Sequence, residues 1–357
     1  MRKLLRFLLL KPILWIVEKF STSPDRERIF EALSKLKYRL HDDPGKKGFV
    51  IPLDLNNGKF ILFSDQHKGA KNGADDFKNS ESTYISALQH YDHHGFHLIC
   101  LGDCEELWEN TLLQVKKHNA LSFEAERRFA LRNSFTKIFG NHDLDWEINP
   151  LAEMDLKELY HAPVVVLEGV ILQCTIQKKL LSIFCTHGHQ GDLQSDGNLF
   201  SKFFVSKIWA PLQAYLQIYP NTPAYNETLK TEHNNIMYEW SSQQKNLLLI
   251  TGHTHQPVFE SLTLLERLQR HQATELAAGK SAPETSAVQT PSLDLFSKVR
   301  PTYFNTGCCC YSDGDITGIE IEGQSIRLVK WEKQDNDSIR TVLESIPLEQ
   351  LMSQLSE

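Results

Sequence analysis

The sequence predicts an α/β sandwich, on three observations. Short apolar runs bounded by glycine or polar residues recur along the chain: Lys59 to Phe63, Phe96 to Leu101, Thr136 to Phe139, Leu181 to Thr186 and Asn246 to Thr251. Runs of this kind read as buried strands. Asp65, Asp103 and Asn141 fall at equal intervals, leaving room for one helix between successive strands, as a β-α-β-α-β series requires. Each run also leads into a polar cluster. In order these are Ser64-Asp65-Gln66-His67, Gly102-Asp103, Gly140-Asn141-His142-Asp143, His187-Gly188-His189 and Gly252-His253-Thr254-His255. Ligands collect at the carboxyl ends of strands in such sheets, so one sheet edge can gather all five clusters.

Taken in order, the chain opens on residues 1–20, rich in Leu, Ile, Phe and Trp but interrupted by Arg6, Lys11 and Pro12. That is too broken for a spanning helix and carries no small-x-small cleavage site. Two readings stay open: an amphipathic segment packed on the body, or an interfacial helix turning Arg2, Lys3, Arg6 and Lys11 toward anionic headgroups. Asp25 to Leu40 reads as a peripheral helix, followed by a loop at Pro44-Gly45. Helices at Tyr84 to Tyr91 and Phe123 to Asn133 fill the first two crossovers. The stretch at about 191–245 exceeds what a crossover needs, and Phe200, Phe203, Phe204, Trp209, Tyr215 and Tyr219 mark it as a helical cap. A second insertion at about 272–292, rich in Ala, Ser, Thr, Pro and Gln, reads as disordered. Thr302 to Gly307 resumes the body, and Ile316 to Ile321 with Ser325 to Trp331 reads as a closing hairpin. The expected regions are therefore an extension over 1–58, a body over 59–331 with its two insertions, and a tail over 332–357.

Composition narrows the function classes. A chain of 357 residues with 41% apolar content can bury a substantial core, and a net charge of -7 exerts no global pull on nucleic acid. Seven cysteines without a CxxC pair signal neither a disulfide framework nor a zinc ribbon, which suits a reducing cytoplasm. The polar clusters suit a metal centre instead. Asp65 and His67, two apart, project the same way from a strand end, and Asp103 adds a carboxylate able to bridge two cations. Asn141 offers a neutral oxygen, and His187, His253 and His255 offer nitrogens. This mixed set suits Mn, Fe or Zn and lacks the thiolates of a structural zinc site.

The ordered motifs D-x-H, G-D, G-N-H-D, H-G-H and G-H-T-H, spanning roughly residues 59–331, resemble the calcineurin-like metallophosphoesterase superfamily. The resemblance implies a four-layer α/β/β/α sandwich of two mixed sheets and two divalent metal ions. It makes Asp65, His67, Asp103 and His255 the ligands of one ion, with Asp103 bridging to a second held by Asn141, His187 and His253. It further implies that a metal-bridging hydroxide attacks phosphorus, that His142 protonates the leaving group, and that Asp143 orients the His142 ring. The implied substrate is a phosphodiester or pyrophosphate, with a phosphomonoester or a nucleic acid as alternatives and a non-catalytic scaffold as a further one. Gly102-Asp103-Cys104-Glu105-Glu106-Leu107-Trp108, with the aromatic cap, is similar to UDP-2,3-diacylglucosamine hydrolases. His142 stands where those enzymes carry Arg, and Gln66 and Lys68 depart from their D-L-H-L. Blander expectations attach to the other polar groups. His189 supports the ligands from behind, His93, His94 and His97 form a solvated turn, Asp75 and Asp76 belong to a loop, and Cys308-Cys309-Cys310 are buried strand thiols. Oligomeric state is not legible.

Overall fold

The computed structural model describes residues 24–45, 47–72, 75–191, 227–277, 298–334 and 337–355. The strands, in chain order, are β1 (Gly48–Pro52), β2 (Phe60–Phe63), β3 (His97–Leu101), β4 (Phe135–Ile138), β5 (Val166–Leu167), β6 (Gly169–Ile176) and β7 (Lys179–Thr186). They continue as β8 (Leu247–Thr251), β9 (Val258–Phe259), β10 (Leu262–Thr263), β11 (Tyr303–Asn305), β12 (Ile316–Glu322), β13 (Ser325–Gln334) and β14 (Asp337–Pro347). The helices are α1 (Arg26–Asp42), α2 (Glu81–His93), α3 (Leu112–His118), α4 (Ala120–Leu131), α5 (Asp145–Ile148), α6 (Ala152–Tyr160), α7 (Glu227–Ser242), α8 (Leu264–Ala277) and α9 (Leu348–Gln354).

Two mixed seven-stranded sheets result, one ordered β14-β13-β12-β2-β3-β4-β5 and the other β1-β6-β7-β8-β11-β9-β10. Side-chain alternation along each strand explains why they stack. Leu62, Ile99, Leu101 and Ile138 of the first sheet and Ile183, Cys185, Leu248 and Ile250 of the second share one buried cluster. Their immediate neighbours point outward: Ile61, Phe63, Leu98 and Cys100 pack on α2 through Tyr84, Ala87, Leu88 and Tyr91. Phe184, Leu247 and Leu249 meet α1 and α7 through Ile29, Leu33, Trp240 and Met237. Strands apolar on both faces fit only between two covered layers, and each buried Leu or Ile contributes about 1.5–3 kcal/mol. The architecture is thus the expected four-layer sandwich.

Strand direction then positions the polar turns. β2, β3 and β4 run parallel, as do β7, β8 and β11 in the facing sheet. Their carboxyl ends, which carry the predicted clusters, meet at one edge. Helix α1 is held by its N-cap, where the Asp25 carboxylate accepts from Arg28 N at 3.1 Å, and it buries Ile29, Leu33, Leu36 and Leu40 at helical spacing.

The fold extends beyond the predicted body at both ends. β1, within the region read as an extension, pairs in parallel with β6, so this segment belongs to the second sheet. The region read as a tail supplies β14, which pairs with β13 along its length, and α9, whose Leu348, Leu351 and Met352 enter the intersheet core. β14 is an edge strand with one polar face, so it presents no apolar run to find. The start of the segment read as disordered is helical, because α8 runs to Ala277. His97 is the first residue of β3 and bonds Thr136 Oγ1 at 2.8 Å, whereas His93 and His94 are exposed as expected. Residues 1–20, the aromatic cap residues 199–219 and the rest of the second insertion lie outside the described residues. Among the described residues, no helix is long and apolar enough to cross a membrane.

Candidate metal centre

Each cluster leaves its strand through a backbone that turns sharply. Asp65, His67, Asp103, His253 and His255 all adopt positive φ, between 50° and 70°. For residues with a Cβ this costs about 1–2 kcal/mol each, and it is tolerated where surrounding structure holds it. That structure is present. Asp65 N donates to Gly102 O at 3.0 Å and His67 N to Asp103 O at 2.9 Å, while Gly252 N donates to His187 O at 2.9 Å. Across the sheets, His253 N donates to Asp65 Oδ2 at 3.0 Å. Glycine is required for space in these turns. A Cβ at Gly102 would stand 2.5 Å from the His187 ring, and one at Gly140 would stand 2.6 Å from Asp103 N.

The donor atoms gather into two adjoining groups, Asp65 with His67 and His255, and Asp103 with His187 and His253, each spanning no more than 4.8 Å. Asp65 Oδ1 lies 3.2 Å from His255 Nε2 and 3.9 Å from His67 Nε2. Asp103 Oδ2 lies 3.1 Å from His187 Nε2 and 3.9 Å from His67 Nε2, so one carboxylate oxygen faces both groups. Ligands sharing one cation at metal–donor distances of about 2.0–2.2 Å sit about 3.0–3.5 Å from one another. The two shorter contacts match that spacing.

The bonding state of these atoms supplies a second test. Asp65 Oδ1, Asn141 Oδ1, His187 Nε2 and His253 Nε2 are buried and make no hydrogen bond. Four such atoms at predicted ligand positions are rare in native proteins unless an ion is their partner. One of the rings is fastened from behind: His187 Nδ1 meets Leu101 O at 2.9 Å, which leaves Nε2 facing the donor group. Asp65 and Asp103 are both fully buried, yet facing histidines outweigh desolvation and hold each below the ordinary carboxylate range, Asp103 well below it. The donor set therefore fits divalent cations.

His142 sits on the same turn as Asn141, and its N–H donates to Asp103 Oδ1 at 2.7 Å. Its ring is oriented by Glu106, whose Oε2 lies 2.7 Å from His142 Nδ1. The expected orienting role of Asp143 is thereby corrected. Both Asp143 oxygens accept from backbone, Gly140 N at 2.6 Å and Cys104 N at 2.8 Å, so this carboxylate pins the turn. Burial disfavours the charged His142 ring, but Glu106 and Asp103 outweigh it and lift it to about 9. Glu106 Oε2 also lies 3.0 Å from His67 Nδ1, so one oxygen serves His142 and a histidine of the first donor group together. Trp108 stacks flat on the His142 ring at 4.0 Å.

Beneath these turns lies a buried ionic network that the sequence pattern does not disclose. Lys68 pairs with Glu126, and Lys137 with Glu105 at 2.9 Å; all four side chains are fully buried. Tyr84 and Tyr160 donate to Glu126 at 3.0 and 2.8 Å, and Trp146 Nε1 donates to Glu105 at 2.7 Å. Lys68 directly follows His67 and Glu105 lies two beyond Asp103, so the network ties both loops to the sheet beneath. Glu106 and Trp108 follow Asp103 closely in sequence, but nothing in their spacing marks them as partners of His142. His189 is buried 5.4 Å, ring to ring, from His187, and it joins neither donor group. Asp75 caps its own loop, accepting from Lys78 N at 3.0 Å. The cysteine trio lies in the loop after β11, not in a strand, and is buried.

No family model matches the chain, and no curated protein matches it. Among solved structures, vacuolar protein sorting 29 from Cryptosporidium parvum is 12% identical with a TM-score of 0.32, covering 81% of this chain and 98% of that one. A single variant of Vps29 from Entamoeba histolytica is 13% identical and a double variant 12%, each with TM-score 0.30 over 80% of this chain and 99% of theirs. Likeness at that level carries no argument about function, and the fold stands on its own strand pairing.

Proposed function

We propose that this chain is a dinuclear-metal-dependent phosphoesterase of the calcineurin-like type, hydrolysing a phosphodiester or pyrophosphate bond. The observation that carries the reading is the pair of donor groups meeting at Asp103, with unbonded lone pairs at four ligand positions. Asp65, His67, Asp103 and His255 would hold one cation, and Asp103, Asn141, His187 and His253 the other. When bound, such cations supply Lewis acidity toward phosphoryl oxygens and a water acidic enough to attack at neutral pH.

The remaining roles belong to the protein. Asp103 fixes the two groups relative to each other. Glu106 holds His142 by Nδ1, which leaves Nε2 to carry the proton given to the departing oxygen. The flat Trp108 ring beside His142 offers an apolar platform to whatever the departing oxygen is attached to. That supports a leaving group with a ring or an acyl-bearing body, as in a nucleotide- or lipid-linked substrate. The lipid-linked choice draws on the resemblance of the Gly102 to Trp108 segment to UDP-2,3-diacylglucosamine hydrolases. Membrane contact through residues 1–20 would serve it.

The test is hydrolysis of bis-p-nitrophenyl phosphate and p-nitrophenyl phosphate by metal-stripped protein, with Mn²⁺, Zn²⁺ or Mg²⁺ restored singly. Metal-dependent turnover favouring the diester is expected, and it should vanish in Asp103→Asn. Two ions bound without turnover of either ester, or of nucleotide and lipid pyrophosphates, would overturn the reading.

A further inference from the structure

We propose that His255 Nδ1, Cys308 Sγ and Cys310 Sγ form a separate cation site of thiophilic character, sharing the His255 ring with the phosphoesterase centre. The three donor atoms lie within 4.8 Å of one another. His255 turns Nε2 toward Asp65, so Nδ1 is the nitrogen on the opposite side of the ring. In a metal-binding histidine that second nitrogen ordinarily meets a carboxylate or a carbonyl. Here it meets sulfur, with Cys310 Sγ at 3.7 Å.

The spacing suits one ion. With metal–sulfur distances of about 2.3 Å and metal–nitrogen distances of about 2.0–2.1 Å, a tetrahedral site has a nitrogen–sulfur edge of about 3.6 Å. The loop is also shaped for the task. Gly307, at φ +76°, turns the chain out of β11; Thr317 N then donates to Cys308 O at 3.1 Å and Cys309 N to Asp65 O at 3.2 Å. Cys309 enters the outer core with Phe63 and Trp331, while Cys308 and Cys310 face His255. His255 retains partial exposure and Cys310 is 9% exposed, which gives an ion a way in.

Donor chemistry separates this site from its neighbour. With both nitrogens of His255 engaged, the ring gives up its remaining N–H proton to solvent and bridges as an imidazolate, as ligation of a metal by a protonatable group requires. That ring and two thiolates prefer Zn²⁺ or Cd²⁺ and disfavour Mn²⁺ and Mg²⁺, whereas the carboxylate-rich centre accepts Mn²⁺. Cys308 and Cys310 belong to this site alone and only the His255 ring is shared, so sulfur ligation and manganese retention, read separately, distinguish failure of this site from failure of the phosphoesterase reading.

The experiment adds Cd²⁺ to the full chain preloaded with Mn²⁺ and follows the thiolate-to-cadmium charge-transfer band, the cadmium NMR shift and retained manganese. Expected are a band that saturates at one equivalent, a resonance in the mixed sulfur and nitrogen range, and loss of both in the Cys308→Ser/Cys310→Ser protein while Mn²⁺ stays bound. A wild-type protein without the band, or a band that persists in the double variant, would overturn the proposal. Should the double variant fail to fold, the wild-type resonance decides alone, and a shift typical of nitrogen and oxygen donors sinks the site. Wild-type protein that takes Cd²⁺ at sulfur but never binds Mn²⁺ would retain this site and remove the phosphoesterase centre.

Discussion

Replacing Gly140 by alanine should cost the protein its metals before it costs the protein its fold. Gly140 has an ordinary backbone conformation, so alanine is admissible there and only its Cβ matters. That atom would stand 2.6 Å from Asp103 N and 2.8 Å from Asp103 Cγ, and nearer still to Oδ1. Comfortable separations begin at about 3.5 Å, so the shortfall approaches about 1 Å. The contact with Asp103 N is with backbone, so it is relieved only by a shift of the turn after β3, which carries the Asp103 carboxylate with it. Donor distances are tolerated within about 0.2 Å, so such a displacement removes a productive ligand. Overpacking should cost about 1–3 kcal/mol of stability, a loss a protein of this size survives. Affinity should fall at least about 10–100-fold for both ions, because Asp103 Oδ2 faces both donor groups. Equilibrium dialysis with elemental analysis reads the loading, and urea unfolding reads the stability. Gly95→Ala is the control. Gly95 has φ +74° and open space for at least 4 Å around the position a Cβ would take, so the variant should lose about 1–2 kcal/mol and no metal. Two ions bound at wild-type affinity in Gly140→Ala would refute the placement of Asp103 between the groups.

Glu106→Gln should lower kcat about 10²-fold at saturating metal, since a neutral amide holds the His142 ring less firmly; unchanged kcat in steady-state assays would remove Glu106 from the mechanism. Glu126→Ala leaves Lys68 only its longer contact with Glu105, at 3.4 Å, and deprives Tyr84 and Tyr160 of their acceptor. It should destabilise by about 3–5 kcal/mol in urea titrations, and a loss under about 1 kcal/mol would show the network to be dispensable. His97 is held down to about 4 by burial, with Arg132 adding to the effect, against an ordinary 6.5. The unfolded chain therefore takes up the proton first, so stability is full above pH 6.5 and declines by about 3 kcal/mol as pH falls to about 4. His97→Gln should flatten that decline between pH 7 and 5, and equal slopes for the two proteins would discount His97.

What was legible in the sequence is what local chemistry writes into adjacent residues. β2, β3, β4, β7 and β8 announced themselves as apolar runs because both faces of each are buried, and each leads into a polar cluster. β6 is as apolar as they are, but no donor follows it, so no motif marks it. β14 sits at a sheet edge, where polar residues interrupt the run, and β1, the apolar stretch Gly48–Pro52 at the edge of the other sheet, is marked by no polar motif. The donors at Asp65, Asp103 and His253 were readable from their motifs. Glu106 was not, because its tie to His142 depends on how the turn after β3 lies against the turn after β4. The Asp143 role failed for the same reason: adjacency in sequence suggested the neighbouring ring, while the turn delivers its oxygens to two backbone amides. Nothing local could reveal that four charged side chains, Lys68, Glu105, Glu126 and Lys137, would meet under the site, since each alone reads as a surface residue.

Five donors standing on left-handed backbone have a consequence for how ions are chosen. Their positions are set by the sheets, so an arriving ion finds its cage already shaped and has little loop to order around itself. Such a cage cannot close more tightly on one cation than on another. Discrimination then falls to the intrinsic preference of nitrogen and oxygen donors, which strengthens from Mn²⁺ through Fe²⁺ and Co²⁺. The ion that works in the cell would accordingly be decided by supply as much as by the protein.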